Sequence, residues 1–154
     1  VKKIRLFIVL LTLTAVAVIG PSHPASAAGS TVTTPDGGSV VWNEWLGDNA
    51  PVAVLLWASW VPDADPTLAD LDRITTAVSA RGLELVLVVV QEPLNEARES
   101  LGNIDVPWFH DRYGHLLKEY RVVSIPRLLV VAEDGRVVER LEVDVESLRA
   151  WGGE

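Results

Sequence analysis

The 154-residue sequence contains no cysteine and no methionine. No disulfide, thiolate nucleophile, zinc–thiolate centre or iron–sulfur cluster can therefore form from its side chains. Two further absences narrow the chemistry. No G-x-x-x-x-G-K or G-x-G-x-x-G loop is present to cradle phosphates. No nucleophile-elbow glycine pattern presents a serine to a histidine and an acid, so a hydrolase triad has no support. Positive charge is also scarce: 13 Lys and Arg stand against 21 Asp and Glu, a net charge of −8. Such a surface repels phosphate backbones and anionic lipid, which argues against nucleic acid as a partner.

What is present suffices for a core. Half of the residues are apolar (49%) and 22% are charged, the balance of an ordinary globular domain rather than a disordered chain. The length and the lack of an internal repeat predict one domain plus extras. Lys2, Lys3 and Arg5 precede an uncharged apolar run from Leu6 to Ile19. Gly20-Pro21 ends the run, and Ala25-Ser26-Ala27 supplies small residues for cleavage. This pattern predicts a signal peptide over 1–27, with an uncleaved anchor as the alternative, and export to the periplasm or beyond the cell. Contact with the membrane is then only transient. With no cysteine after the run, a lipoprotein anchor is excluded. Removing 1–27 takes away only positive charges and makes the remainder more acidic still. A leader entering a first strand, then a first turn, is expected over 28–38, and the folded domain over 39–154.

Along that domain, Pro35-Asp36-Gly37-Gly38 reads as a turn and Ser39 to Trp42 as its return strand. Asn43 to Asn49 is a loop or short helix. Pro51 to Trp57 and Leu83 to Val90 are near-continuous apolar runs, the mark of strands buried on both faces. Between them a helix is expected, with Asp65 as N-cap and Pro66 in its first turn, or starting at Pro62. It carries Leu68, Leu71, Ile74 or Thr75, and Val78 inward and ends at Gly82. Pro93 to Leu101 and Asp111 to Tyr120 read as further helices. Arg127 to Ala132 reads as a strand, Asp134-Gly135 as a hairpin turn, Arg136 to Val143 as its partner and Asp144 to Trp151 as a closing helix. Strands separated by helices pair in parallel, and the hairpin adds an antiparallel edge. The expected fold is α/β, a mixed central sheet flanked by helices in three layers.

Trp57-Ala58-Ser59-Trp60, followed by Val61-Pro62-Asp63-Ala64 and a helix, resembles the active-site approach of the thioredoxin-fold superfamily. In its exported redoxin or TlpA-like branch this approach reads WASWCPPC. Val122-Val123-Ser124-Ile125-Pro126 before an apolar strand, then Glu133-Asp134-Gly135-Arg136, is similar to that family's cis-proline loop, strand and hairpin. Thr33-Thr34-Pro35-Asp36-Gly37 and Val106-Pro107-Trp108-Phe109-His110-Asp111 also fit. The likeness spans roughly residues 32–145.

Where the family has its two cysteines, this chain has Val61 and Ala64. Thiol–disulfide exchange needs a thiolate attacking a disulfide sulfur, and peroxidase chemistry of the peroxiredoxin kind also begins at a thiolate. Both activities are excluded. The resemblance further implies a buried acid two residues before the first tryptophan of the motif, and a glutamate three residues after the second cysteine. Those positions hold Leu55 and Thr67. No catalytic residue and no cofactor is expected.

What the resemblance leaves is a binding face. The residue before the cis-proline of this fold offers its backbone to an extended peptide, as in strand addition. Ile125 and Pro126 would present that edge beside Trp60, Val61 and Pro62, a shallow apolar lip with Asp63 its one charge. In the plainer reading Trp57 is core and Trp60 covers the helix start. Asp63 and Asp65 either pair as carboxylates or sit at a helix N-terminus favoured by its dipole. His110, Asp111, His115 and Glu119 invite a metal reading, but His110 and His115 are five residues apart and do not meet on one helix. They read instead as two surface histidines near a turn, and no metal is expected. The function expected is a non-redox protein- or peptide-binding module of the cell envelope. A non-thiol enzyme on the same scaffold, or a structural remnant without a ligand, are the alternatives.

Overall fold

The computed structural model describes residues 29–152. The segment 1–27, read as a signal peptide, lies outside the described residues. The chain runs β1 (Thr31–Thr33), β2 (Ser39–Val41), α1 (Trp42–Asn49), β3 (Val52–Trp57), α2 (Ala64–Ala69), α3 (Leu71–Ala80) and β4 (Glu84–Val90). It continues through α4 (Leu94–Leu101), β5 (Trp108–Asp111), α5 (His115–Glu119), β6 (Arg127–Val131), β7 (Val137–Leu141) and α6 (Val145–Gly152). One seven-stranded sheet orders these as β2-β1-β5-β4-β3-β6-β7.

Strands β3, β4 and β5 are parallel, while β1, β2, β6 and β7 run antiparallel to their neighbours. The expected mixed sheet flanked by helices is what forms. Every residue of β3 is buried, and so is every residue of β4 after Glu84. Their unbroken apolar runs therefore match strands covered on both faces. Each Leu or Val so buried contributes about 1.5–3 kcal/mol relative to exposure. Edge strand β7 alternates half-buried and exposed residues instead. Helix α3 packs against β4 and against α6. In α1, Trp42 donates its indole N–H to the Tyr120 hydroxyl at 2.6 Å and stacks with Trp45 against Phe109.

Two local expectations are corrected. The helix expected to start at Asp65 or Pro62 starts at Ala64, with Asp63 as N-cap, and Asp70 divides it into α2 and α3. Pro66 still sits in the first turn, where its missing N–H costs nothing. Strand β5 occupies a stretch read partly as unassigned and partly as helix start. Four residues after Pro107 are too few to show a period, and pairing with β4 and β1 makes them a strand. Strand β1, the first strand expected after the leader, pairs with both β2 and β5. The glycine cap did form: Gly82 is left-handed (φ 71°), and the N–H of Leu83 reaches back to Val78 at 3.3 Å.

Candidate functional site

Strand β3 ends at Trp57, whose indole N–H donates to the Ala64 carbonyl at 3.1 Å. The Ala64 N–H in turn reaches the Val61 carbonyl at 3.1 Å. The turn Val61–Ala64 is thereby closed onto the strand that feeds it. Val61 is 8% exposed and Ala64 is buried, while Pro62 and Asp63 face solvent. Both positions that carry sulfur in the resembled family thus hold buried hydrocarbon. Trp57 is core, as its place at a buried strand end implies. Trp60 is 58% exposed and stands mostly in solvent.

Across from α2 lies the segment Ser124-Ile125-Pro126, in which the Ile125–Pro126 peptide bond is cis. A groove of about 450 Å3 separates them, with Asp63, Pro66 and Thr67 on one wall and Ser124, Ile125 and Pro126 on the other. The structure therefore brings Asp63, Ile125 and Pro126 together. Trp60, Val61, Pro62 and Ala64 do not line the groove. Val123, one residue before Ser124, is fully exposed.

The expectation of an apolar lip with one charge is corrected. Asp70, Glu142 and Asp144 join Asp63 along the groove. Glu142 pairs with Arg127, whose other guanidinium nitrogen donates to Ser124 Oγ at 2.7 Å. Asp70 pairs with Arg73 at 3.0 Å. Asp144 accepts from the Ser147 hydroxyl at 2.6 Å and the Ser147 N–H at 2.8 Å, and these bonds hold its carboxyl below the usual range. Glu142 and Asp144 follow β7, far along the chain, so only the pairing of β7 with β6 delivers them here.

Sequence reasoning missed Glu92. Gln91 takes a left-handed backbone conformation (φ 59°), uncommon for a residue with a side chain, and its N–H is held by Asp111 O at 3.0 Å. The next residue, Glu92, is 4% exposed. Its Oε2 accepts the Ser59 N–H at 3.0 Å and the Ser59 hydroxyl at 2.5 Å. Its Oε1 is enclosed and has no partner among the described residues. A buried carboxylate therefore does stand behind the tryptophan motif, though at neither Leu55 nor Thr67. The only sequence signal was a glutamate closing an apolar strand before a proline.

The histidine reading is also corrected. His115 is exposed, but His110 is 3% exposed on β5, with Nε2 2.5 Å from the Glu92 carbonyl oxygen. Asp111 is buried as well, its two oxygens accepting the N–H groups of His115 and Leu116 at 3.0 and 2.8 Å. Glu119 accepts from Ser30. Among the described residues no group of three or more His, Asp or Glu is placed to hold a metal ion.

A family model described as thioredoxin-like matches residues 49–137. No curated protein matches the chain. Among solved structures, the chain is similar to a secreted Mycobacterium tuberculosis disulfide oxidoreductase homologous to E. coli DsbE. That likeness has TM-score 0.55 and 18% identity, and covers 72% of this chain and 81% of the other. StoA from Bacillus subtilis gives TM-score 0.55 at 23% identity over 83% and 98% of the two chains. The pneumococcal exposed lipoprotein thioredoxin Etrx1 from Streptococcus pneumoniae gives 0.54 at 23% over 80% and 99%. At these identities the structures speak for the fold alone. The chain belongs to the thioredoxin-like family, and it does so without a single cysteine.

Proposed function

We propose that this protein is an exported thioredoxin-like module that exchanges no electrons and binds a protein or peptide segment of the cell envelope through the face where its relatives' cysteines would lie. One observation carries the reading. The groove between Asp63–Thr67 and Ser124–Pro126 is open, while Val61 and Ala64, the two positions that would hold sulfur, are buried hydrocarbon. Trp60 and Val123 stand exposed on the two loops that lead into the walls, and large exposed apolar side chains of this kind anchor interfaces. Export is supported by the basic start, apolar run and small-residue site before residue 28. The similar Mycobacterium tuberculosis protein is described as secreted.

The test is selection of binding segments from a peptide library on the full chain, followed by Trp60→Ala and Pro126→Ala. Each substitution should weaken the selected peptide about tenfold or more, as truncating an anchor residue does. Binding unchanged in the double variant would remove the groove from the account. N-terminal sequencing of protein recovered outside the cytoplasm tests the export half.

A further inference from the structure

A second cavity, of about 570 Å3, opens where β1, the end of β5 and the loop into α5 meet. It shares no lining residue with the groove. Thr33 and His110, both in its wall, face each other directly in the antiparallel β1–β5 pair, so their side chains lie on one face of the sheet. His110 Nε2 contacts the Glu92 carbonyl oxygen, which can only accept, so Nε2 carries the hydrogen. In the neutral ring Nδ1 is then a bare acceptor. It makes no hydrogen bond among the described residues, where Glu92 Oε1 is the one fully enclosed side-chain oxygen or nitrogen left unpartnered. This buried histidine lines the cavity, and its Nδ1 is the acceptor left for a ligand there.

The remaining charges favour an anion. Asp111 has both oxygens committed to the backbone of α5. Arg112 makes no ion pair among the described residues, in a chain where acids outnumber bases 21 to 13. It follows β5 in the turn toward α5 and lines the same cavity as His110. Tyr113, 68% exposed, forms a rim, with the Arg112 guanidinium 5.9 Å from its ring centroid and the His115 ring at 5.8 Å.

We propose that this cavity binds a small α-hydroxycarboxylate, the carboxylate on Arg112 and the hydroxyl donating to His110 Nδ1. The donor is a hydroxyl rather than an ammonium, because the lining already holds Arg112 and two imidazoles and no uncommitted carboxylate. Glycolate is the probe and acetate, which lacks the hydroxyl, its control. Titrated into the 15N-labelled full chain, glycolate should move the amide signals of Thr33, His110 and Tyr113 saturably. It should bind about fivefold more tightly than acetate, the value of one hydrogen bond. Arg112→Ala, an exposed position, should weaken glycolate about tenfold or more. Long-range 15N NMR of His110 should find Nδ1 bare in the free protein and shifted on glycolate binding. Equal affinity for acetate, indifference to Arg112→Ala, absence of saturable shifts, or a hydrogen on Nδ1 of the neutral ring would each overturn the proposal.

Discussion

At the scale of single residues, Glu92 and Tyr120 are polar groups taken into the core, and each makes a measurable claim. Glu92 holds the Ser59 N–H and hydroxyl from inside the protein, just before Trp60. Hydrogen bonds to a charged acceptor are worth roughly 1.5–3 kcal/mol, and losing the acceptor leaves the half-buried Ser59 donors without it. Glu92→Ala should therefore lower unfolding free energy in urea by about 2 kcal/mol. Glu92→Gln keeps an acceptor for Ser59 and should lose less, an ordering that a merely space-filling side chain would not give. Tyr120 is 5% exposed, and burial pushes its hydroxyl up to about 12, partly offset by the bond from Trp42. Its proton is held more tightly folded than unfolded. The stabilisation is thus complete below the ordinary value near 10 and is lost as pH climbs from there to about 12. The chain has two tyrosines, so Tyr113→Phe leaves Tyr120 alone to be read by ultraviolet absorbance. In that variant ionisation should come near 12 and coincide with loss of stability, and ionisation near 10 in the folded protein would contradict it.

At the scale of elements, the strand–turn–helix β3–α2 is built as a frame that does not depend on what the turn displays. Trp57 grips Ala64, and Ala64 grips Val61, through indole and backbone atoms alone. Returning sulfur should therefore leave the frame intact: Val61→Cys with Ala64→Cys should fold, and air oxidation should leave no titratable thiol. Insulin reduction should nonetheless stay far below that of an active thioredoxin, because both restored positions are buried and Leu55 and Thr67 supply no acid to move protons. Strong reductase activity in that variant would mean that Glu92 substitutes for them. This frame was legible in the sequence because it is local: an apolar run, two tryptophans, a proline and a helical period follow one another directly. Strand β5 was not, because its four residues become a strand only between β4 and β1, contacts that no window of sequence contains. The break at Asp70 was hidden for the opposite reason, since the helical spacing of Leu68, Leu71 and Ile74 runs straight through it.

At the scale of the whole molecule, what sequence could not deliver is the meeting of distant segments. Ser59 and Glu92 are 33 residues apart. Glu142 and Asp144 reach the groove only because β7 returns along β6, and they change its character from an apolar lip to a carboxylate-lined trough. That change agrees with the overall charge of −8 rather than opposing it, so local and long-range fields point the same way. Arg127 and Arg73 answer Glu142 and Asp70, but Asp63 and Asp144 have no cationic partner among the described residues. A segment entering between Asp63 and Pro126 should therefore be selected for lysine or arginine beside an apolar residue that meets Trp60 or Ile125. Because these carboxylates are exposed, their attraction is screened over about 10 Å at 0.1 M salt and 3 Å at 1 M. Peptides selected on the full chain should accordingly be enriched in basic residues. Their affinity should fall several-fold between low and high salt, and Asp63→Asn should flatten that dependence while Trp60→Ala leaves its slope unchanged. Selected peptides without basic residues, bound equally at all salt concentrations, would assign the groove's affinity to its apolar wall alone.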